Sequence, residues 1–403
     1  MKVQHYLLLG ILSINMACNQ PETKQTTNNS MQKIDTLFES YYNERMQLFP
    51  LEATSNGENQ YNDKLPIDIS ESYRATVKSF CEKYLKSLNS YDRNKLSASD
   101  QISYDILKRE MEITIEGFQF HDNYMPINQF WSLPLSMGQY GAGSGNQPFK
   151  TVKDYDNFLG RIKGFYDWCD TSIVYMRKGI AEGSVYPKVL IERVLPQMQA
   201  MITDDVKKSV FYGPIKNIPA SFSEQDKNRI TTAYEKAIKE QIVPSYKKLY
   251  DFFKDEYLPK AKLTAGIFDI PQGKERYQYL IKVWTTTNMT PDEVFSLGQS
   301  EVKRIRTEME KIMAETGFKG DLKEFFKYVN SDKKFFPYNT PEEVINGYRA
   351  IEDRMKPQLK KLFGVVPKAK FEVRETEKFR EASSSAEYNQ AAPDGSRPGI
   401  FLH

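Results

Sequence analysis

Apolar residues recur every three or four positions along most of this chain, the spacing of one buried helix face. Over residues 31–49, Ile34, Leu37, Phe38, Tyr41 and Leu48 share a stripe that Pro50 stops. Residues 70–88 repeat the pattern with Tyr73, Val77, Phe80, Tyr84 and Leu88. Ser97-Ala98-Ser99-Asp100 resembles a capping box opening a helix to about Phe118, and Thr151-Val152-Lys153-Asp154 opens a long one through Tyr155, Phe158, Ile162, Phe165 and Cys169. The pattern over 223–257 predicts another long helix, bent at Pro244. Thr290-Pro291-Asp292-Glu293 and Thr340-Pro341-Glu342-Glu343 each supply an N-cap threonine, a proline in the first turn and a glutamate third. The sequences diverge beyond the caps, so these are convergent starts rather than an internal repeat, and no solenoid period recurs.

Three stretches break the helical period. Residues 134–148, with Gly138, Gly141, Gly143 and Gly145, read as a mobile loop at a surface or cleft rim. Gly145-Asn146-Gln147-Pro148 lacks the Gly-Lys-Ser/Thr ending of a phosphate loop. Residues 211–219 read as a turn. From Lys370 the pattern alternates, with Phe371 and Val373 opposed to Glu372 and Arg374, which is strand periodicity. The fold class is mostly α, with a small β-sheet beginning near the C-terminus.

Composition narrows the function. The chain has 403 residues, 40% hydrophobic and 27% charged, as a globular protein does. Its 25 tyrosines and 24 phenylalanines suit helix packing and aromatic cleft walls. A net charge of +3, with no basic block, gives no case for a nucleic-acid partner.

The N-terminus has its own logic. A positive Met1-Lys2 start and a short apolar run over 6–14 make a signal peptide, closing on Asn15-Met16-Ala17-Cys18. That closure resembles a bacterial lipobox, with Asn15 in place of the preferred leucine, and the other reading is an ordinary signal peptide with an incidental cysteine. Acylation of Cys18 would tether the protein to a membrane through lipid, and residues 19–30 form a polar tether after it. The expected organisation is a lipoprotein signal over 1–18, a tether over 19–30 and one helical domain over 31–403. The expected location is the bacterial envelope, lipid-anchored in the outer membrane facing the periplasm or the surface. Cys81 and Cys169 fall at apolar positions of helices and read as free buried thiols.

Candidate chemistry is thin. Zinc catalysis needs two histidines on a helix face, a third ligand and a glutamate base. The chain holds three histidines, His5 in the signal peptide, His121 alone and His403 at the end, and they form no pair. No metal ligand and no catalytic residue is assigned. Ser383-Ser384-Ser385 lacks a histidine and a nucleophile elbow, and Glu342-Glu343 and Asp204-Asp205 read as capping or solvation. What remains is Asp394-Gly395-Ser396-Arg397-Pro398-Gly399 followed by the apolar Ile400-Phe401-Leu402. Read functionally, Gly395 and Ser396 let backbone approach a ligand, Arg397 clamps a carboxylate, 400–402 forms an edge strand along a cleft, and Tyr388 lines it. Read structurally, Asp394 pairs with Arg397 and closes a hairpin. The apolar run stops as it begins, so the sequence reads as interrupted.

The stretch 388–399 also resembles a signature of the bacterial family known as domain of unknown function 885. Matching blocks follow the family's order: Met176-Arg177-Lys178-Gly179 with Gly183 and Pro187, Ile270-Pro271-Gln272-Gly273 with Tyr277, and Thr285-Thr286-Thr287-Asn288-Met289-Thr290-Pro291-Asp292-Glu293 with Leu297-Gly298. Members are similar to mostly helical, zincin-like peptidases. The resemblance implies a peptide substrate, zinc in a complete member, and a His-Glu…Pro-Gly-His-His helix after the Asp-Gly-Ser-Arg-Pro-Gly segment. This chain lacks that helix. The expectation is therefore an envelope lipoprotein resembling most of a zinc-dependent peptidase and inactive as it stands. The alternative is a non-enzymatic helical lipoprotein that binds peptides or a partner.

Overall fold

Caps and prolines set the helix boundaries in the computed structural model, which describes residues 28–376, 386–392, 395 and 397–403. Helix α1 (Asn28–Leu48) ends before Pro50, which opens the short α2 (Pro50–Ser55). Ser70 and Ser97 each accept a backbone N–H of the first turn and start α3 (Glu71–Leu88) and α4 (Ala98–Gly117). Helix α5 (Leu133–Gly141) occupies the first half of the stretch expected to be a loop, and 142–148 is loop as expected. Its glycines, weak helix formers, are held by packing: a Cβ on Gly141 would lie 2.3 Å from Phe211. A full capping box between Thr151 and Asp154 starts α6 (Val152–Glu182).

Helices α7 (Lys188–Ala200) and the single turn α8 (Gly213–Lys216) follow, the latter inside the segment read as a turn. The long pattern around Pro244 resolves into α9 (Glu224–Ala237) and α10 (Val243–Phe252), joined by a π-helical stretch at Ile238–Ile242. The wider turn just before Pro244 absorbs the amide the proline cannot donate, so helical turns run on past the proline. Then come α11 (Gly273–Thr285), α12 (Pro291–Glu315), α13 (Leu322–Ser331), α14 (Pro341–Met355) and the single turn α15 (Leu359–Leu362). Thr290 and Thr340 both cap as their spacing predicts.

Three short strands, β1 (Phe371–Arg374), β2 (Glu387–Asn389) and β3 (Gly399–Leu402), complete the described chain in the order β1-β3-β2. Strand β3 pairs parallel with β1, Val373 opposite Phe401, and antiparallel with β2, Tyr388 opposite Phe401. The edge position expected for 400–402 is therefore corrected. Two partners claim both sides of β3, and β1 and β2 are the outer strands.

The main core lies where α6, α7, α9 and α10 meet, around Phe158, Phe165, Trp168, Tyr234 and Tyr246. A second cluster joins α1, α3 and α4 around Phe80, Tyr84 and Met111. By contrast α12 and α13 bury no residue fully. Phe295, Val302, Ile305, Met309 and Ile312 leave a heptad-spaced apolar seam of α12 exposed. No helix among the described residues is long and apolar enough to cross a membrane.

Cys81 and Cys169 are free and buried, one in each core cluster. Burial pushes the Cys81 thiol up to about 11 and the Cys169 thiol well above its ordinary value. We expect a thiol-reactive disulfide reagent to label neither in the native protein and both after guanidinium unfolding. Rapid native labelling at either position would contradict this packing.

Candidate functional site

The capping box of Thr340 with Glu343 orients α14, whose apolar stripe runs Ile345, Tyr348, Ile351, Met355. Ile345 is buried, whereas Ile351 and Met355 are exposed, so the stripe begins under the sheet and then runs out uncovered. Arg349 Nη2 donates to the Val373 carbonyl of β1 at 3.4 Å and helps set the helix against the strand. Between them opens a groove of about 730 Å³, a volume in the range of ligand sites.

Its walls are apolar and aromatic. Strand alternation turns Phe371, Val373, Phe401 and Tyr388 to the groove face, while Ile400 and Leu402 are buried on the other. Residues 371, 373 and 401 thus share the groove face, and 400 and 402 the opposite one. Phe371 stacks on Tyr388 with ring centres 6.1 Å apart, and Tyr348 meets Phe401 at 5.1 Å. Glu352 and Lys356 stand at the rim and pair with each other at 2.8 Å.

The residues named from the sequence are distributed as follows. Tyr388 lines the groove. Gly395 takes φ 76° in a turn whose N–H donates to the Ala392 carbonyl at 2.9 Å, a backbone position that favours glycine. Arg397 donates through Nη1 to the Gln390 carbonyl at 2.8 Å and through Nη2 to the Ser55 carbonyl at the end of α2. Gln390 adds a bond from its amide to Asn56 Oδ1 at 3.1 Å. The guanidinium thereby ties the β2–β3 connection to α2. Ser396, Asp394 and the lipidation candidate Cys18 lie outside the described residues, as do Ser383, Ser384 and Ser385. Glu343 and Asp205 both accept backbone N–H groups as caps.

From those bonds, Arg397→Ala is expected to lower stability by about 1.5–3 kcal/mol, the worth of hydrogen bonds from a charged donor. Arg397→Lys should not restore it, because an ammonium cannot bridge two carbonyls with a planar fork. Urea unfolding checks both. Unchanged midpoints would refute the tie.

The groove residues Tyr348, Ile351, Met355 and Val366 carry no motif. The one sequence signal was the three- and four-residue spacing of apolar side chains after the Thr340 cap.

A zinc ion does not fit the described residues. No group of three or more His, Cys, Asp or Glu among them could hold a metal. His121 stacks on Tyr124 with ring centres 4.6 Å apart, and His403 packs edge-on against Tyr348 at 4.8 Å. No hydrolytic step is therefore derived through a metal.

The profile of a bacterial protein family of unknown function, DUF885, matches residues 50–403. Among solved structures, a protein of Colwellia psychrerythraea described as a lipoprotein is similar to this chain, with a TM-score of 0.78 and 18% sequence identity. The match covers 93% of this chain and 67% of that one. No curated protein matches the chain. The structural likeness shows a shared fold.

Proposed function

The chain belongs to the DUF885 family of bacterial proteins, and we propose that it is an envelope lipoprotein that holds an extended apolar peptide segment in the groove beside α14. The observation that carries this reading is the groove itself, an apolar wall formed by α14 and the C-terminal sheet. A strand-like peptide sends alternate side chains to one face, and Phe371, Met355, Ile351 and Tyr388 offer them apolar and aromatic contacts. Burying such side chains is worth about 25 cal/mol per Å² of apolar surface.

This reading is compatible with a zincin-like peptidase, in which the groove would be the substrate wall, and with a non-enzymatic peptide binder. In both, the residues described here bind and orient the peptide; they supply no metal ligand set. Fluorescence anisotropy with labelled short peptides of leucine, valine and phenylalanine should show saturable binding, and an oligoserine control should not bind. With zinc added, the peptides should remain intact. Equal binding of the control would overturn the assignment, and chelator-sensitive cleavage by this chain would overturn the statement that it supplies no metal ligand set.

Anchoring is proposed through Cys18, supported by the lipobox-like Ala17-Cys18 and the polar stretch after it. The outer membrane is the proposed site, since Asn19 supplies no acidic signal beside the lipidated cysteine. Intact-mass measurement on protein extracted from membranes should show a chain starting at an acylated Cys18. A mature chain of unmodified mass would refute it.

A further inference from the structure

A second cavity, of about 430 Å³, lies far along the chain from the groove, between the segment before α3, the loop before α5 and the middle of α6. Asp68, Arg74, Asn123, Trp131, Ser132 and Trp168 are among its walls. Two of them present buried polar atoms that have no hydrogen-bond partner. Asn123 is 3% exposed, and while its amide nitrogen donates to the Ile69 carbonyl at 3.1 Å and to Glu71 at 2.8 Å, its Oδ1 is unpartnered. Ser132 is 7% exposed and stands at the N-cap of α5, yet its hydroxyl makes no cap bond and has no partner. A buried polar atom left without a partner costs about 1–3 kcal/mol, so two beside one cavity call for a ligand that satisfies them.

The charged groups here are already engaged. Asp122 pairs with Arg276. Arg74 donates to the Phe120 carbonyl at 2.9 Å and lies over the Phe118 ring. Asp68 accepts the Trp168 indole N–H at 2.7 Å. What remains is neutral, one pure acceptor and one hydroxyl. Over them stands an indole that the fold deliberately holds outward: Asn128 Oδ1 accepts the backbone N–H of both Phe130 and Trp131 at 2.8 Å, fixing the loop that carries Trp131. Trp131 is 75% exposed and lies near-parallel to Trp284, itself 73% exposed, at 6.5 Å between ring centres.

We infer that this cavity binds a neutral saccharide, its pyranose ring stacked on Trp131 and its hydroxyls paired with Asn123 Oδ1 and the Ser132 hydroxyl. A sugar ring has an apolar face of C–H groups for the indole and hydroxyls that both donate and accept. Those are the two chemistries the cavity offers together. An anionic ligand would find Arg74 already engaged and would meet the Asp68 carboxyl, whose partner is a neutral indole N–H.

The chain's three tryptophans make the test direct, because two line the cavity and the third stacks beside it. Intrinsic fluorescence and titration calorimetry of the full chain would be followed with cellobiose, maltose and N,N-diacetylchitobiose, with glucosamine and gluconate as charged controls. At least one neutral saccharide should give a saturable change. Trp131→Ala should weaken it about tenfold or more with the circular dichroism spectrum unchanged, and Trp131→Phe should restore part of the loss. Ser132→Ala should weaken it as well, since it removes a hydroxyl that no other protein group uses. The inference is overturned if none of the three saturates, if a charged control binds more tightly than all of them, or if Trp131→Ala binds as the parent does.

Discussion

Arg161→Leu is expected to lower the unfolding free energy by about 3–5 kcal/mol, a loss on the scale of removing one member of a buried charged network. Arg161 is fully buried on α6, and burial pulls its guanidinium down to about 10, which leaves it charged at neutral pH. Its fork is filled by carbonyl and side-chain oxygens. Nε donates to the Lys64 carbonyl at 3.2 Å, Nη1 to Gln147 Oε1, and Nη2 to the Pro50 carbonyl at 3.0 Å, to Thr54 Oγ1 at 2.6 Å and to the Tyr61 carbonyl at 3.3 Å. The Tyr140 ring lies 5.7 Å from the guanidinium carbon. Leucine would orphan these acceptors in the interior. Lysine would keep the charge but cannot reach so many oxygens at once. The same residue holds α2, and the end of α2 holds the sheet through Ser55 and Arg397. The substitution should therefore loosen the groove as well as the core. Denaturant titration checks it: a lower midpoint at unchanged slope is expected, and a loss under about 1 kcal/mol would show that the network is not needed.

Ile351→Asp should abolish most peptide binding while leaving stability almost untouched. Ile351 is already exposed in the free chain, so a carboxylate there meets water and no fully buried side chain is lost. With a peptide in place it would be desolvated against apolar side chains. A penalty of about 2–3 kcal/mol corresponds to roughly 30- to 150-fold weaker binding. Thermal melting and anisotropy on the same sample separate the two effects. A stability loss equal to the binding loss would mark Ile351 as a core residue instead.

The helical body was legible because its signals are local. Ser70, Ser97, Thr151, Thr290 and Thr340 each cap within a few residues of their own position, and side-chain spacing alone places Phe158, Ile162 and Phe165 on one buried face. Helix α5 was not legible, since Gly138 and Gly141 oppose helix by propensity and only contacts such as Phe211 on Gly141 hold it. The π-helical stretch before Pro244 escaped for a similar reason: the proline announces a disturbance, while its form depends on what α9 and α10 pack against. Strand β3 was visible as an apolar run, but its central place depends on pairing with β1, nearly thirty residues upstream. The groove required that pairing and α14 together. Some of the family-like blocks mark backbone constraints: Gln272 takes φ 54° and Thr286 φ 59°, and a Cβ on Gly273 would meet the Ile267 carbonyl at 2.1 Å. The unpartnered atoms of Asn123 and Ser132 had no sequence signal, because an asparagine and a serine near turns look like ordinary turn residues.

The central claim is that an apolar peptide binds between α14 and the outer face of the sheet. Hydrogen–deuterium exchange of the full chain, with and without a saturating leucine-valine-phenylalanine peptide, tests it most directly. Binding in the groove predicts added protection over residues 345–356 and 371–374 and little change across α6 and α10. Saturable binding with protection confined to other segments, for instance the exposed seam of α12, would contradict the account.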